Sequence, residues 1–357
     1  MIEKLDTKQF TVLVMMNTLG ASIIFIPSIA TNFGKENGWI TLILATLIGA
    51  LILCLYRRII QRLEGSNFFT LIEKSLGKWI GKIVISLFCF YTFINVSANL
   101  WSISDFISIQ ILMGTPFEVV SFLIILTVLV AVRYGIEVIG RTSELFFPFA
   151  MICAILLTLL VIKDAELTNI LPIFQLNRAS TIAGIIPIIS ITYLELVILL
   201  AIAHTVNQNI GARKGIMIGG IASGFILIII TIASIAVLGV QGTSNYIYPI
   251  YALGQRINIF NFFERVEIIV AFIWFFTIFS KLCVSFYVLI SGIQYLIPLK
   301  TYKTWTIPFT FLAFLASIQI IPNTIAAFPF INGPYTVISI IVGFIIPLLL
   351  FACKWKS

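Results

Sequence analysis

Charged residues are scarce in this sequence. They make up 10% of its 357 residues, whereas hydrophobic residues make up 60%; an average globular chain is about 25% charged. A water-soluble domain could not bury so much apolar surface, so the composition predicts a protein that crosses a membrane several times. The one histidine, His204, excludes a His/Cys metal centre and any Ser-His-Asp enzyme built without it. We therefore expect no metal, no cofactor and no catalytic residues.

Disulfide, metal and nucleotide motifs are lacking as well. The five cysteines have neither disulfide nor metal-ligand spacing, and their apolar surroundings are typical of small packing residues. They are Cys54, Cys89, Cys153, Cys283 and Cys353. No phosphate-binding loop with its glycine spacing and lysine is present, and no connection between apolar runs is long enough for a catalytic domain. ATP-driven transport by this chain alone is therefore not expected.

Long apolar runs fill almost the whole chain. A membrane helix needs about 20 predominantly apolar residues, and the sequence meets that requirement repeatedly. We predict an all-α membrane protein in which residues 1–357 form a single transmembrane domain. The ten predicted helices are at about 10–33, 38–57, 80–110, 117–134, 143–162, 181–204, 214–240, 265–296, 305–321 and 335–353.

The basic residues indicate the orientation of these helices. With ten helices both termini lie on one side, and 16 of the 22 lysines and arginines then lie on that side, five lie on the other, and Lys281 is within the membrane. Because basic loops stay in the cytoplasm, both termini are predicted to be cytoplasmic. The net charge of +8 therefore reflects topology and not a nucleic-acid partner. The basic residues of 57–82 are expected to contact anionic membrane lipid.

Two predicted helices carry residues that favour an interruption. Glycine, serine and proline occur together in the first helix, and the sixth helix repeats the pattern with Gly184 and Pro187. Backbone groups freed at that depth must face protein or a water-filled cavity, and interruptions at matching places in two halves are typical of a transporter-type midplane site. The candidate binding residues there are Thr18, Gly20, Ala21, Ser22, Ser190, Thr192, Tyr193 and Glu195.

The same pattern indicates an internal repeat. Five helices in about 10–162 are followed by five in about 181–353, which fits a 5+5 inverted repeat with helices one and six broken. The longest predicted helices, the third and the eighth, fall at equivalent positions in the two halves. The alternative is that glycine and proline are simply frequent in membrane helices.

Polar residues within the predicted helices add further candidates. Lys281 lies at the centre of the eighth helix, Glu195 lies past the break in the sixth, and Asp105 lies near the outer end of the third. Charges at such depth are costly and indicate function, although Lys281 could equally form a structural ion pair with Glu195 or bind carbonyls freed by unwinding. A polar stripe on the third helix either lines a cavity or joins helices; it consists of Tyr91, Asn95, Asn99 and Ser102.

Short motifs give the chain a family resemblance over about residues 5–353. They are Leu5-Asp6-Thr7-Lys8-Gln9 before the helix with Gly20 and Pro27, Leu171-Pro172-Ile173-Phe174, and Phe263-Glu264-Arg265-Val266-Glu267 before the eighth helix. In their order and spacing the chain resembles the B subunits of GerA-type spore germinant receptors, in the amino acid/polyamine/organocation transporter superfamily. The resemblance implies a leucine-transporter-like fold and a germinant, typically an L-amino acid, held between helices one, three, six and eight.

The resemblance also implies partners and a role for Lys281. We expect a complex with an A subunit and a lipoprotein C subunit in the inner membrane of an endospore. In sodium-coupled members of this fold a cation bridges helices one and eight, and the ammonium of Lys281 would take its place. Two other functions remain open: an amino-acid:proton symporter of the same fold, and a scaffold whose pocket no longer binds.

Overall fold

A computed structural model describes residues 4–63, 65–173, 177–256 and 267–353. Helices make up nearly all of this part of the chain, and its only β-type pairing is a bridge between Leu5 and Val206. The first eight helices are α1 (Thr7–Gly34), α2 (Gly38–Leu63), α3 (Phe68–Leu76), α4 (Lys78–Phe106), α5 (Phe117–Tyr134), α6 (Ile136–Val161), α7 (Arg178–Thr192) and α8 (Val197–Leu200). The others are α9 (Asn209–Asn245), α10 (Pro249–Arg256), α11 (Glu267–Leu296), α12 (Lys303–Ile320), α13 (Ala327–Phe330), α14 (Thr336–Ile340) and α15 (Ile346–Ala352).

Eight segments of the described residues are long and apolar enough to cross a membrane. The first of them, Thr7–Leu63, has 57 residues and contains both α1 and α2. Those two helices pack against each other around a 3-10 turn at Lys35–Asn37. The 18-residue α12 is not one of the eight segments. The chain is thus an integral membrane protein, and the count of ten membrane helices stays a prediction.

Helix α1 lies at the centre of the bundle, where it packs against α2, α6, α7, α9 and α11. Its close approach to α9 depends on glycines at spacings of four. A Cβ atom at Gly211 would lie 2.0 Å from the Thr7 hydroxyl, and one at Gly219 would lie 2.7 Å from Val14. Small residues at helix interfaces allow this approach because lipid gives helices no hydrophobic reason to associate.

The predicted interruption of the first helix is wrong for this structure. Helix α1 runs from Thr7 to Gly34 without a break, through Gly20 and Pro27. Glycine and serine permit unwinding but do not force it, and proline at a helical φ removes only one backbone donor. The carbonyl of Gly20 does accept a hydrogen bond from outside its helix, from Trp274 Nε1 at 2.8 Å.

The interruption of the sixth helix is confirmed. Helix α7 ends at Thr192, and Tyr193 begins a 3-10 turn over Leu194–Leu196 before α8. Side chains of other helices bind carbonyls at the break. The Tyr56 hydroxyl donates to the Leu194 carbonyl at 3.1 Å, and Ser22 Oγ donates to the Ile191 carbonyl at 3.1 Å. Backbone groups freed by a helix break within the membrane have no water to bind, so other protein groups must supply their hydrogen bonds.

Several helix boundaries differ from the predicted ones. Helices α3 and α10 lie in segments predicted as connections, and α6 begins seven residues before the predicted start. The last predicted helix starts too late: a 3-10 turn at Thr324–Ala326 leads directly into α13. The Asn332-Gly333-Pro334 motif does not end this helix, because it is accommodated in a π-helical turn. With a second π turn at Ile341–Ile345, α13, α14 and α15 form one continuous helical rod.

Candidate functional site

A buried ion pair lies at the break of the sixth helix. The ammonium of Lys281, on α11, contacts Glu195 Oε2, and both side chains are almost fully shielded from the surface. The other carboxylate oxygen, Glu195 Oε1, accepts a hydrogen bond from the Tyr335 hydroxyl. Moving each ion out of water costs on the order of several kcal/mol. The attraction between the two ions offsets this cost only when their geometry is good and further hydrogen bonds are made.

A polar network extends from this pair to α4. Tyr335 accepts a hydrogen bond from Asn95 Nδ2 at 2.7 Å, and Asn95 Oδ1 accepts one from Ser285 Oγ at 2.9 Å. Asn99 Nδ2 donates to the Asn95 carbonyl at 2.7 Å. The network therefore connects α4, α11 and the helical rod to the broken helix, and its members orient the carboxylate of Glu195.

A small cavity lies beside the network. It has a volume of about 30 Å³ for the centres of water-sized spheres, and one water needs roughly 10–15 Å³ by that measure. It therefore has room for about two waters and is too small for an amino acid in this conformation. This central cavity is lined by Ala21, Phe25, Ala98, Asn99, Trp101, Ser102, Ile191, Glu195, Ile321, Phe330, Ile331 and Tyr335.

Some of the predicted site residues line the cavity, and others surround it. Ala21, Asn99 and Glu195 line the central cavity together with Ser102. The hydroxyls of Ser190 and Thr192 are buried without a hydrogen-bond partner among the described residues. Three other predicted residues make hydrogen bonds. Thr18 Oγ1 donates to the Val14 carbonyl, Ser22 Oγ donates to the Ile191 carbonyl, and the Tyr91 hydroxyl accepts from Ser339 Oγ.

Gly20 packs against the lysine of the ion pair. A Cβ atom at Gly20 would lie 2.7 Å from Lys281 Cδ, so any side chain there would displace the lysine. The sequence predicted instead that a ligand approaches this glycine. Lys281 does lie between α1 and α11, where the resemblance placed a cation, but its ammonium contacts the carboxylate of Glu195.

Tyr193 does not line the central cavity. Its ring lies over Gly49 of α2 and its hydroxyl lies beside Gly224 of α9, where a Cβ atom would be 2.5 Å or less from the tyrosine. This aromatic side chain fixes the broken helix to two neighbouring helices. The tyrosine leaves no room for a side chain at either glycine position. The sequence did not predict this structural contact of Tyr193.

Eight residues that line the central cavity are not among the candidates from the sequence: Phe25, Ala98, Trp101, Ile191, Ile321, Phe330, Ile331 and Tyr335. Tyr335 bridges Glu195 and Asn95, and Phe330 and Ile331 line the cavity from the same helical rod. The relevant signal in the sequence is Asn332-Gly333-Pro334, whose residue types favour irregular helix at membrane depth. As a helix boundary, this motif places the tenth helix outside the predicted pocket.

An aromatic and acidic cluster closes the site on the side opposite the termini. Asp105 Oδ2 accepts a hydrogen bond from the Tyr248 hydroxyl at 2.6 Å, and Asp105 Oδ1 accepts one from Thr324 Oγ1 at 2.9 Å. Phe106 contacts Tyr248 and Trp274 edge-on. Asp105 therefore joins α4 to the segment before α10 and to the turn that begins the helical rod.

A second cavity lies beyond this side of the central one. The outer cavity has a volume of about 280 Å³ and contains the polar side chains of Ser28, Asn32 and Thr324. Phe25 and Ile331 line both cavities. These two apolar side chains thus form the partition between the outer cavity and the central one.

A cavity larger than the central and outer ones lies on the side of the termini. It measures about 520 Å³ and is lined by His204, Asn209 and Tyr287, among others. Burial lowers the pKa of His204 below its usual range, although a backbone hydrogen bond at Ala201 opposes that shift. None of the predicted site residues lines this cavity.

Two solved structures share the fold of this chain. A Na⁺-coupled sialic acid symporter in a substrate-bound, outward-open state matches with a TM-score of 0.66 at 14% identity, over 96% of this chain and 80% of that one. Mhp1, a nucleobase-cation-symport-1 family transporter in a closed conformation, matches with a TM-score of 0.61 at 13% identity, over 88% and 72%. The predicted leucine-transporter-like fold is thereby confirmed.

Relatives in sequence are spore germination proteins. A putative spore germination protein, YfkT of Bacillus subtilis, is 25% identical over 94% of this chain and 91% of its own length. Spore germination protein KB of the same organism is 23% identical over 90% and 86%. A family model described as spore germination protein, of the spore permease type, matches residues 4–325. The chain therefore belongs to the spore germination protein family, as its resemblance predicted.

Proposed function

We propose that this chain is the B subunit of a spore germinant receptor, which binds a small germinant in the central cavity. The observation that carries the proposal is the buried carboxylate of Glu195, placed at the break of the sixth helix and on the wall of that cavity. A discontinuous membrane helix with a polar group at mid-depth is typical of a substrate site. The family relationship supports the germination role.

The proposed ligand is an L-amino acid. The cavity offers a carboxylate for its amino group and no lining cation among the described residues for its carboxylate. The ligand's carboxylate would then be bound by backbone groups and hydroxyls, for which the candidates are Ser190 and Thr192, whose buried hydroxyls have no partner among the described residues. Because the cavity holds only about two waters, binding requires the helices around it to separate.

The proposal includes the location and the partners. The receptor would lie in the spore inner membrane with both termini in the cytoplasm, together with an A subunit and a lipoprotein C subunit. The family context supports a receptor complex. No catalytic step is proposed, because the family and the fold are those of permeases.

The test is germination of a deletion strain. Spores lacking this gene are exposed to single amino acids and sugars, and their germination is compared with that of the parent strain. We expect one or a few amino acids to lose their effect, with recovery when the gene is restored. Unchanged germination with every compound would contradict the receptor function. Genes for A and C subunits beside this one would support it.

The alternative is an amino-acid:proton symporter, which the transporter fold supports. A sensor and a symporter need the same pocket, so uptake is what separates them. The full chain is reconstituted in liposomes, and the accumulation of labelled amino acid is measured with and without a proton gradient. Accumulation above the external concentration that needs the gradient would establish the symporter.

A further inference from the structure

The described residues that line the central cavity carry charge of only one sign. Of the residues that line it, Glu195 is the only charged one, and its counter-charge, Lys281, does not reach the cavity wall. A carboxylate in a low-dielectric interior needs a cation close by. In this conformation Lys281, which is not among the lining residues, supplies that cation.

Lys281 has few hydrogen-bond partners among the described residues. Its ammonium has three hydrogen-bond donors, yet the contact with Glu195 Oε2 is its only polar contact within the described ranges. Buried ion pairs are favourable only when the remaining donors are satisfied. The lysine stem packs against Gly20, where a Cβ atom would lie 2.7 Å from Lys281 Cδ.

The wall of the central cavity also carries an acceptor that has no donor among the described residues. Asn99 lines the cavity and is 3% exposed, and its Oδ1 has no hydrogen-bond partner among the described residues. The cavity thus combines a negative charge that is only partly satisfied with an unused amide oxygen. A compact cation with several N–H donors fits both requirements.

We propose that the ligand of the central cavity carries a protonated primary amine, and that this amine displaces Lys281 from Glu195. The inference rests on the proposed function and adds to it the first step of the signal, the release of Lys281 by the amine of the ligand. The incoming ammonium replaces one positive charge with another, so Glu195 stays neutralised. The freed lysine then loses its partner, and the packing of α11 against Gly20 of α1 changes.

The test measures amine binding to the purified full chain by the shift of its thermal unfolding midpoint. Methylammonium is the probe because its size suits the cavity, and tetramethylammonium, which has no N–H donor, is the control. Lys281→Met should bind methylammonium more than about tenfold more tightly than the wild type, because it lacks a tethered competitor at high effective concentration. Glu195→Gln should lose the shift.

The double variant Lys281→Met/Glu195→Gln removes both charges, which is tolerated better than leaving one buried charge unpaired. Should Lys281→Met fail to fold, the wild type must show a methylammonium shift that the double variant lacks. Equal shifts in these two proteins, or equal shifts with tetramethylammonium, would overturn the proposal.

A germination assay separates this inference from the receptor function. Spores are exposed to each L-amino acid and to the matching 2-hydroxy acid, which lacks the amine. Activity of an amino acid and inactivity of its 2-hydroxy acid supports the amine requirement. Equal activity of both contradicts the inference and leaves the receptor function standing. A deletion strain that germinates normally contradicts the receptor function, while the methylammonium result still decides the chemistry of the cavity.

Discussion

At the scale of single residues, Gly20 is a predicted site position at which the structure leaves no room for a side chain beside Lys281. We expect Gly20→Val to abolish the ligand response, because its side chain would occupy the space of Lys281 Cδ, 2.7 Å from the Cβ position. The measurement is the germination dose-response at matched protein level. The control is Gly333→Ala, at a glycine whose Cβ position has nothing within 4 Å. A normal response from Gly20→Val would show that Lys281 can move without consequence.

Tyr335 is the residue whose removal tests the network most directly. Tyr335→Phe keeps the ring but removes the hydroxyl that donates to Glu195 and accepts from Asn95. A hydrogen bond to a buried charge contributes about 1.5–3 kcal/mol, so we expect a loss of stability of that order and a weaker ligand response. Thermal unfolding in detergent measures the stability. Tyr134→Phe, at a tyrosine that is 70% exposed, should change neither.

At the scale of helices, the two predicted interruptions had opposite outcomes for a physical reason. The break in the sixth helix is accompanied by donors to its carbonyls, from Tyr56 and Ser22, which lie more than 130 residues away in the chain. Helix α1 remains continuous although its composition is similarly permissive. Residue types show where a helix can break, but partners distant in sequence decide whether it does. The positions of Tyr193 and Tyr335 likewise depend on contacts with residues distant in the sequence.

The acidic cluster opposite the termini provides a test of how helices close over the site. Asp105→Asn keeps the shape of the side chain but weakens its hydrogen bonds to Tyr248 and Thr324, since bonds to a charged group are roughly twice as strong as neutral ones. We expect the outer cavity to open more often. A cysteine placed at Ser28, which lines that cavity and is 6% exposed, should react faster with a thiol reagent in the Asp105→Asn background.

The matched control for this prediction is Glu118→Gln, a carboxylate exposed on the same side of the bundle. The five native cysteines are replaced beforehand, so that only the introduced thiol reacts. Equal labelling rates in the Asp105→Asn and Glu118→Gln proteins would mean that the cluster does not hold the outer side closed.

At the scale of the whole molecule, the sequence predicted the class of fold well because that class depends on composition. Apolar runs of membrane length can be recognised without knowledge of any particular contact. The predicted range 117–134 coincides with α5, which is bounded by Pro116 and Gly135. Boundaries differ from the predicted ones where charged residues interrupt the apolar run, as at the start of α6 with Glu137 and Arg141, or where helix-breaking residues lie in irregular helix, as in the rod of α13 to α15.

The orientation in the membrane is the remaining property that composition predicts for the molecule as a whole. The side that holds both termini carries 16 of the 22 basic residues in the predicted topology, which the positive-inside rule assigns to the cytoplasm. We expect a cysteine at Lys300, exposed between α11 and α12, to be protected from a membrane-impermeant thiol reagent in intact cells. A cysteine at Leu167, 76% exposed between α6 and α7, should react. Permeabilised cells should label both positions, which controls for accessibility. In intact cells, labelling of Lys300→Cys without labelling of Leu167→Cys would contradict the predicted orientation. Labelling of both positions would contradict the predicted number of helices between them.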